Sequence, residues 1–486
     1  MSSRLYIAEG TLSVVRASME IVLVPFDAPD GGTGELTWGQ AEIWPALEGR
    51  QRSMVVGGVM PLPEGSTVDE TTGVLAFSMR RHQALRTTFR FDADGRLRQQ
   101  VVARSGELRL EIVDAIDDPA VTAAEIFERY ETAVYDYRVE WPLRMALVRH
   151  GGALTHAVAV YCHLVIDLHG LEALGRDLSN LDRGTGRELA PATGAQPLDL
   201  AGWQGGPRGR RQSDTAMRHW ERQLRSIPAR RFRPFDGSEP TGPTGPTEPR
   251  PPVGPHEPGL SIMELRSPGL DLALRAYAAA SRADTSTVLL AALAVVLTRL
   301  TGINPAVVCE VSSNRFRPGL AESVSVLNQN GICVIDVADA GFDEVVARSW
   351  RASMAARLNA YYDPRELRRL IDEVGRDRRE EVDLSCFFND QRRDRTAGAG
   401  DTALIVDEIL ATLPRTTLRS RYVDEVPHES FFLNVSDANA TLTLTLYTDR
   451  LVLSHSDRED LLRGIEALVV EAAVGAGVHQ RKGLSL

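Results

Sequence analysis

The hydrophobic pattern changes period repeatedly along the chain, and each change marks an element. Met19 to Phe26 is a short apolar run that reads as an edge or added strand. After a Gly-rich turn, Thr37 can cap a helix on which Trp38, Ala41, Ile43 and Trp44 form an apolar face. Arg80 to Gly95 reads as the end of a helix, a strand over Thr87 to Phe91, and an Asp-Gly turn. From Thr155 the pattern alternates, with Ala157, Ala159 and Tyr161 set against Val158, Val160 and Cys162, which predicts a buried strand. Past Gly170, Leu171, Leu174 and Leu178 recur at helical spacing. Asp284 or Thr285 can cap a helix that runs to Leu300, is apolar nearly all round, and stops at Thr301-Gly302. Ala306 to Val311, Phe431 to Val435 and Leu442 to Tyr447 read as strands, and Ser456 to Ala472 as an amphipathic helix.

A chain of 486 residues exceeds one comfortable core, so two lobes are expected. Pro240 to Gly259 is a Pro/Gly/Thr tract that cannot form a core element. The expected division is an N-terminal extension over 1–35, a first lobe over 36–235, a linker or loop over 236–259 and a second lobe over 260–486. A formal net charge of -11 argues against a nucleic-acid binder. The basic clusters Arg208 to Arg211 and Arg230 to Arg233 read as exposed linker charges, with an acidic-partner docking patch as the alternative. Cys162, Cys309, Cys333 and Cys386 lack metal-ligand spacing and sit in apolar contexts, so no metal is expected and a reduced, cytoplasmic state is. The longest apolar run, Val288 to Leu297, is too short to span a bilayer, and no signal peptide is expected at the N-terminus.

The candidate chemistry lies where the strand ends. It delivers His163, and four residues later Asp167, into the following loop. Imidazole titrates near neutral pH and suits proton transfer. Cys162 adjoins His163, but strand neighbours point to opposite faces, so the thiol reads as structural rather than nucleophilic.

The stretch Thr155 to Gly170 resembles the HHxxxDG motif of nonribosomal peptide synthetase condensation domains, within the HxxxD acyltransferase superfamily. Cys162 replaces the first histidine and Leu168 the glycine, while His163 and Asp167 are retained. Arg81-His82-Gln83-Ala84-Leu85-Arg86-Thr87-Thr88-Phe89 is similar to the family's R-H-E-A-L-R-T-x-F, which makes His82 a structural residue. Gln40 and Trp44 stand where an opening S-x-A-Q-x-R-L-W motif has them, although Glu42-Ile43 departs from it. Residues 199–204 and 218–224 resemble the Y-x-D-Y-A-x-W and Y-W-x-x-Q-L elements. Arg315, Arg317, Pro318 and Asn328 match a G-R-T-R-P stretch and its continuation, and Ser385 to Asn389 a V-F-F-N strand.

The resemblance implies an α/β (α+β) fold of two chloramphenicol-acetyltransferase-like lobes, each a mixed sheet flanked by helices, arranged as a V-shaped pseudodimer. It implies a free-standing condensation enzyme of natural-product biosynthesis, forming an amide or ester from an acyl thioester and an amine or alcohol acceptor. His163 would act as base or orient the nucleophile. Asp167 would be architectural and paired with Arg315 from the other lobe. Asn389, His169 and Gly170 would be candidates for the substrate tunnel. No bound cofactor is implied; a peptidyl or acyl carrier protein would supply the phosphopantetheine arm, with no nucleic-acid or membrane partner. Leu168 would narrow the acceptor side, with Gly170 supplying the lost loop flexibility. Two rival readings stay open: a catalytically degenerate domain that recruits another enzyme to a carrier protein, and a coenzyme-A-dependent acyltransferase.

Overall fold

Local capping chemistry sets several elements. Thr37 accepts a hydrogen bond from the Gln40 amide while the Gln40 side chain accepts from the Thr37 amide, a capping box that starts the helix Trp38–Leu47. Thr67 and Glu70 repeat the arrangement ahead of the helix Val68–Arg81. The expected strand is Thr87–Phe91, and the turn after it uses Gly95 at φ 79°, a left-handed conformation that glycine adopts freely. The computed structural model describes residues 5–8, 11–14, 18–48, 54–232, 259–392, 402–423, 429–438 and 441–483. The expected linker, apart from Gly259, lies outside the described residues, as does Arg233.

The chain forms two compact units, one of residues 1–212 and 313–329 and the other of 213–312 and 330–486. Residues 313–329 fold with the first unit and not with the second lobe, where their place in the sequence puts them. Both units are mixed α/β: sheets with helices on their faces.

The first unit holds a five-stranded sheet in the order Met19–Asp27, Ser105–Asp114, Leu143–His150, Ala153–Cys162, Val55–Pro61. Met19–Asp27 is thus an edge strand, as its short apolar run predicts. Only Ser105–Asp114 and Leu143–His150 run parallel, and the helix Pro119–Thr132 joins them. That helix buries Ala123, Ile126 and Tyr130 against Ala146, Val148, Val158 and Val160. The opposite face of the sheet packs Leu108, Leu110, Leu147 and Ala157 with Leu75 and Met79 of the helix Val68–Arg81. Alternation along Ala153–Cys162 therefore feeds two cores, one on each side.

The second unit carries a seven-stranded sheet in the order Gln329–Ile335, Ala306–Ser312, Phe387–Asp390, Phe431–Ala438, Thr441–Asp449, Leu260–Ser267, Thr417–Val423. The all-round apolar helix is Thr285–Thr301, capped by Asp284 and ended by Gly302 at φ 69°. It is buried among residues of the helices Pro268–Ser281 and His455–Gly483 and of the sheet. Among the described residues, no single helix is long and apolar enough to cross a membrane.

The basic clusters differ from expectation. Arg208, Arg210 and Arg211 are exposed, but on the helix Pro207–Ser226 rather than in a loop. Arg231 is buried, because main-chain carbonyls of Asp383 and Pro228 take its guanidinium inward.

Candidate active site

The strand Ala153–Cys162 ends in a tight turn. The His163 amide donates to the Met54 carbonyl at 3.0 Å, and the Val165 amide folds back on the Cys162 carbonyl at 3.1 Å. Within this turn His163 Nδ1 lies 2.9 Å from the Ile166 carbonyl oxygen. A carbonyl only accepts, so the neutral ring carries its proton on Nδ1 and its lone pair on Nε2. The imidazole is half-buried. It is oriented by the main chain of its own loop, and Asp167 is not bonded to it.

Asp167 holds the loop instead. Its carboxylate is fully buried and caps the helix Leu168–Asp177 through the Gly170 amide at 2.7 Å. Oδ2 also accepts from the amides of Leu327 at 2.8 Å and Asn328 at 3.2 Å. Arg315 approaches with both terminal nitrogens, at 3.0 Å to Oδ2 and 2.9 Å to Oδ1. Its Nη2 donates further to the carbonyls of Ser323 and Ser325. A buried carboxylate with this many donors is compensated in full, which makes Asp167 the anchor that ties the His163 loop to residues 313–329. Both partners belong to the same compact unit, so the expected pairing between lobes is corrected to one within the first unit.

Gly170 takes a different part from the flexible one expected. It lies in the helix Leu168–Asp177, and a Cβ there would meet the Ser325 carbonyl oxygen at 2.7 Å and Ile166 Cγ1 at 2.8 Å. Glycine is required for close approach, and the residue is buried. Leu168, which replaces the family's glycine, is the first residue of that helix, with ordinary backbone angles, and is half-buried. His169 Nδ1 donates to Glu172 Oε2 at 3.0 Å on the same helix. Cys162 is 1% exposed among Leu143, Leu147 and Leu164, and burial pushes its thiol up to about 12. Asn389 is half-buried in the second unit, on the strand Phe387–Asp390, in parallel register with Asn434.

Reasoning from sequence alone misses the donors from Leu327 and Asn328, because main-chain amides leave no side-chain signature. The Arg81 to Arg86 stretch forms a second buried hub. Arg81 and His82 converge on Asp177, and Gln83 and Arg86 converge on Asp30. Burial pushes the Asp177 carboxyl up, but hydrogen bonds from His82, Arg81 and Asn180 outweigh it and hold the group well below the usual carboxylate range. His82 is structural in this arrangement.

A sequence model of the condensation-domain family matches residues 40–403. Beauvericin nonribosomal cyclodepsipeptide synthetase from Gibberella fujikuroi is 26% identical over 63% of the chain, which covers 10% of the synthetase. The solved condensation domain for chain release from the enacyloxin polyketide synthase aligns with TM-score 0.65 at 20% identity, over 92% of this chain and 83% of that one. The X-domain from teicoplanin biosynthesis aligns with TM-score 0.64 at 20% identity, over 91% of this chain and 95% of that one. The same X-domain in complex with OxyB aligns with TM-score 0.60 at 21% identity, over 91% and 93%.

Proposed function

The chain belongs to the condensation-domain family, and we propose that it is an acyltransferase joining a carrier-borne acyl thioester to an amine or hydroxyl nucleophile. The observation that carries this reading is the hydrogen bond from His163 Nδ1 to the Ile166 carbonyl, which leaves Nε2 as a proton acceptor on a braced loop.

In the proposed reaction the nucleophile's nitrogen or oxygen attacks the thioester carbonyl carbon, and Nε2 takes its proton. The C–N or C–O bond forms and negative charge develops on the carbonyl oxygen. Collapse of this intermediate breaks the C–S bond. The proton on Nε2 then passes to the departing thiolate, giving amide or ester, free thiol and a neutral His163. The imidazolium formed on the way keeps its Nδ1–H···O=C bond, so the ring need not turn between the two transfers. The buried, protonated thiol of Cys162 supports direct transfer rather than an acyl-cysteine intermediate. Leu168 places an isobutyl group at the start of the next helix, where the family has glycine, and we assign it the restriction of acceptor size.

Mass spectrometry of turnover tests the reading. Acyl groups loaded on the phosphopantetheine arms of carrier proteins, supplied as separate chains, are offered with amine and alcohol acceptors of graded size. Formation of the condensed product with small acceptors supports it. Product formed equally well from acyl-coenzyme A without any carrier favours the coenzyme-A-dependent relative. The replaced motif positions, together with the likeness to an X-domain solved in complex with OxyB, favour one second reading, recruitment of another enzyme. Carrier binding without turnover for every donor and acceptor would support that one instead.

A further inference from the structure

Arg231 departs furthest from its expected place, and its surroundings bear on something other than acyl transfer. The residue is 5% exposed. Its Nε donates to the Asp383 carbonyl at 2.8 Å and its Nη2 to the Pro228 carbonyl, while Nη1 has no hydrogen-bond partner among the described residues. The same side chain lines a cavity of about 20 Å³, walled also by Phe232, Leu297, Thr301, Pro305 and Cys386. All of these residues belong to the second unit.

A cavity of this size takes one water-sized guest. The choice between water and an anion follows from the lining. A water needs acceptors for its own hydrogens, whereas an anion needs donors only. The polar lining is donor-rich: the guanidinium has only N–H groups, and burial keeps the Cys386 thiol protonated by pushing it far above its ordinary value. The Thr301 hydroxyl donates its proton to the Leu297 carbonyl at 2.7 Å and its oxygen accepts from the Ile303 amide at 3.2 Å, so it adds no donor and is already engaged. Both oxygens bonded to Arg231 are main-chain carbonyls; the Asp383 carboxylate acts on the buried cation from a distance, and among the described residues no carboxylate bonds to it. The remaining walls are apolar.

We propose that this cavity binds one monatomic anion of halide size, held by Nη1 of Arg231 and the thiol S–H of Cys386. Through Arg231 and Asp383, the anion would fasten the chain after the helix Pro207–Ser226 to the approach of the strand Phe387–Asp390.

The test is thermal unfolding of the full chain in chloride, bromide and gluconate at matched ionic strength, with Arg231→Gln carrying the general salt effect. The wild-type midpoint should be about 2–4 °C higher in the halides than in gluconate, and the variant should lose that difference. Crystals grown in bromide should give an anomalous peak beside Nη1. Equal halide effects on wild type and variant, or a map with no bromide in the cavity, would overturn the proposal. The map decides if Arg231→Gln does not fold or if the two measurements disagree.

Discussion

Arg315 grips Asp167 with both terminal nitrogens, 3.0 Å and 2.9 Å from the two carboxylate oxygens, and does so inside a single compact unit. The aspartate side chain is fully buried and the arginine side chain 10% exposed, so neither charge can fall back on water if its partner is removed. Asp167→Asn or Arg315→Ala should each lower the unfolding free energy by about 3–5 kcal/mol, read from urea denaturation. A denaturation midpoint equal to wild type in both variants would show that the pair does not hold the loop.

Gly170 gives a sharper test of the same packing. The Cβ of Gly170→Ala meets a main-chain oxygen, which cannot swing aside as a side-chain tip would. The substitution should cost about 1–3 kcal/mol, although alanine is the better helix former at an open position. Gly175→Ala, where nothing lies within 4 Å of the added carbon, serves as the control and should be neutral or stabilising.

Cys162 should be chemically silent. With its thiol pushed up to about 12, roughly one molecule in ten thousand carries the thiolate at pH 8. Iodoacetamide at that pH should leave Cys162 unmodified in the native protein, and peptide mapping after turnover should find no acyl group on it. Stoichiometric labelling of folded protein, or an acyl adduct, would contradict direct transfer.

Asp177 sets an acid limit on the first unit. Its native carboxyl is held below its unfolded value of about 3.9, so the stabilisation is complete above that pH and is lost as pH falls below it. Asp177→Asn should flatten the acid limb of a plot of stability against pH. Parallel curves for variant and wild type would assign the acid sensitivity elsewhere.

Elements whose signals lie within one segment are legible in the sequence. The strand Thr87–Phe91 and the capped helix from Asp284 to Gly302 are local: alternation, caps and a stop glycine lie within each segment. The ends of the His163 turn are legible for the same reason. What sequence reasoning could not reach depends on contacts between distant segments. The role of Gly170 comes from a carbonyl at Ser325, and part of Asp167's compensation comes from the amides of Leu327 and Asn328. Arg231 sits among Pro- and Arg-rich neighbours that read as surface, yet the distant carbonyl of Asp383 joins the local one of Pro228 in burying it.

If His163 Nε2 moves the proton in acyl transfer, His163→Ala removes that acceptor and should slow the chemical step itself. The ring is half-buried at the end of a strand, so the variant should fold, with a melting midpoint lowered only modestly by the lost bond to the Ile166 carbonyl. Single-turnover mass spectrometry with a carrier-bound thioester should show product formation slowed by about 10²–10⁴-fold. Wild-type turnover in a correctly folded His163→Ala protein would show that His163 does not carry the proton.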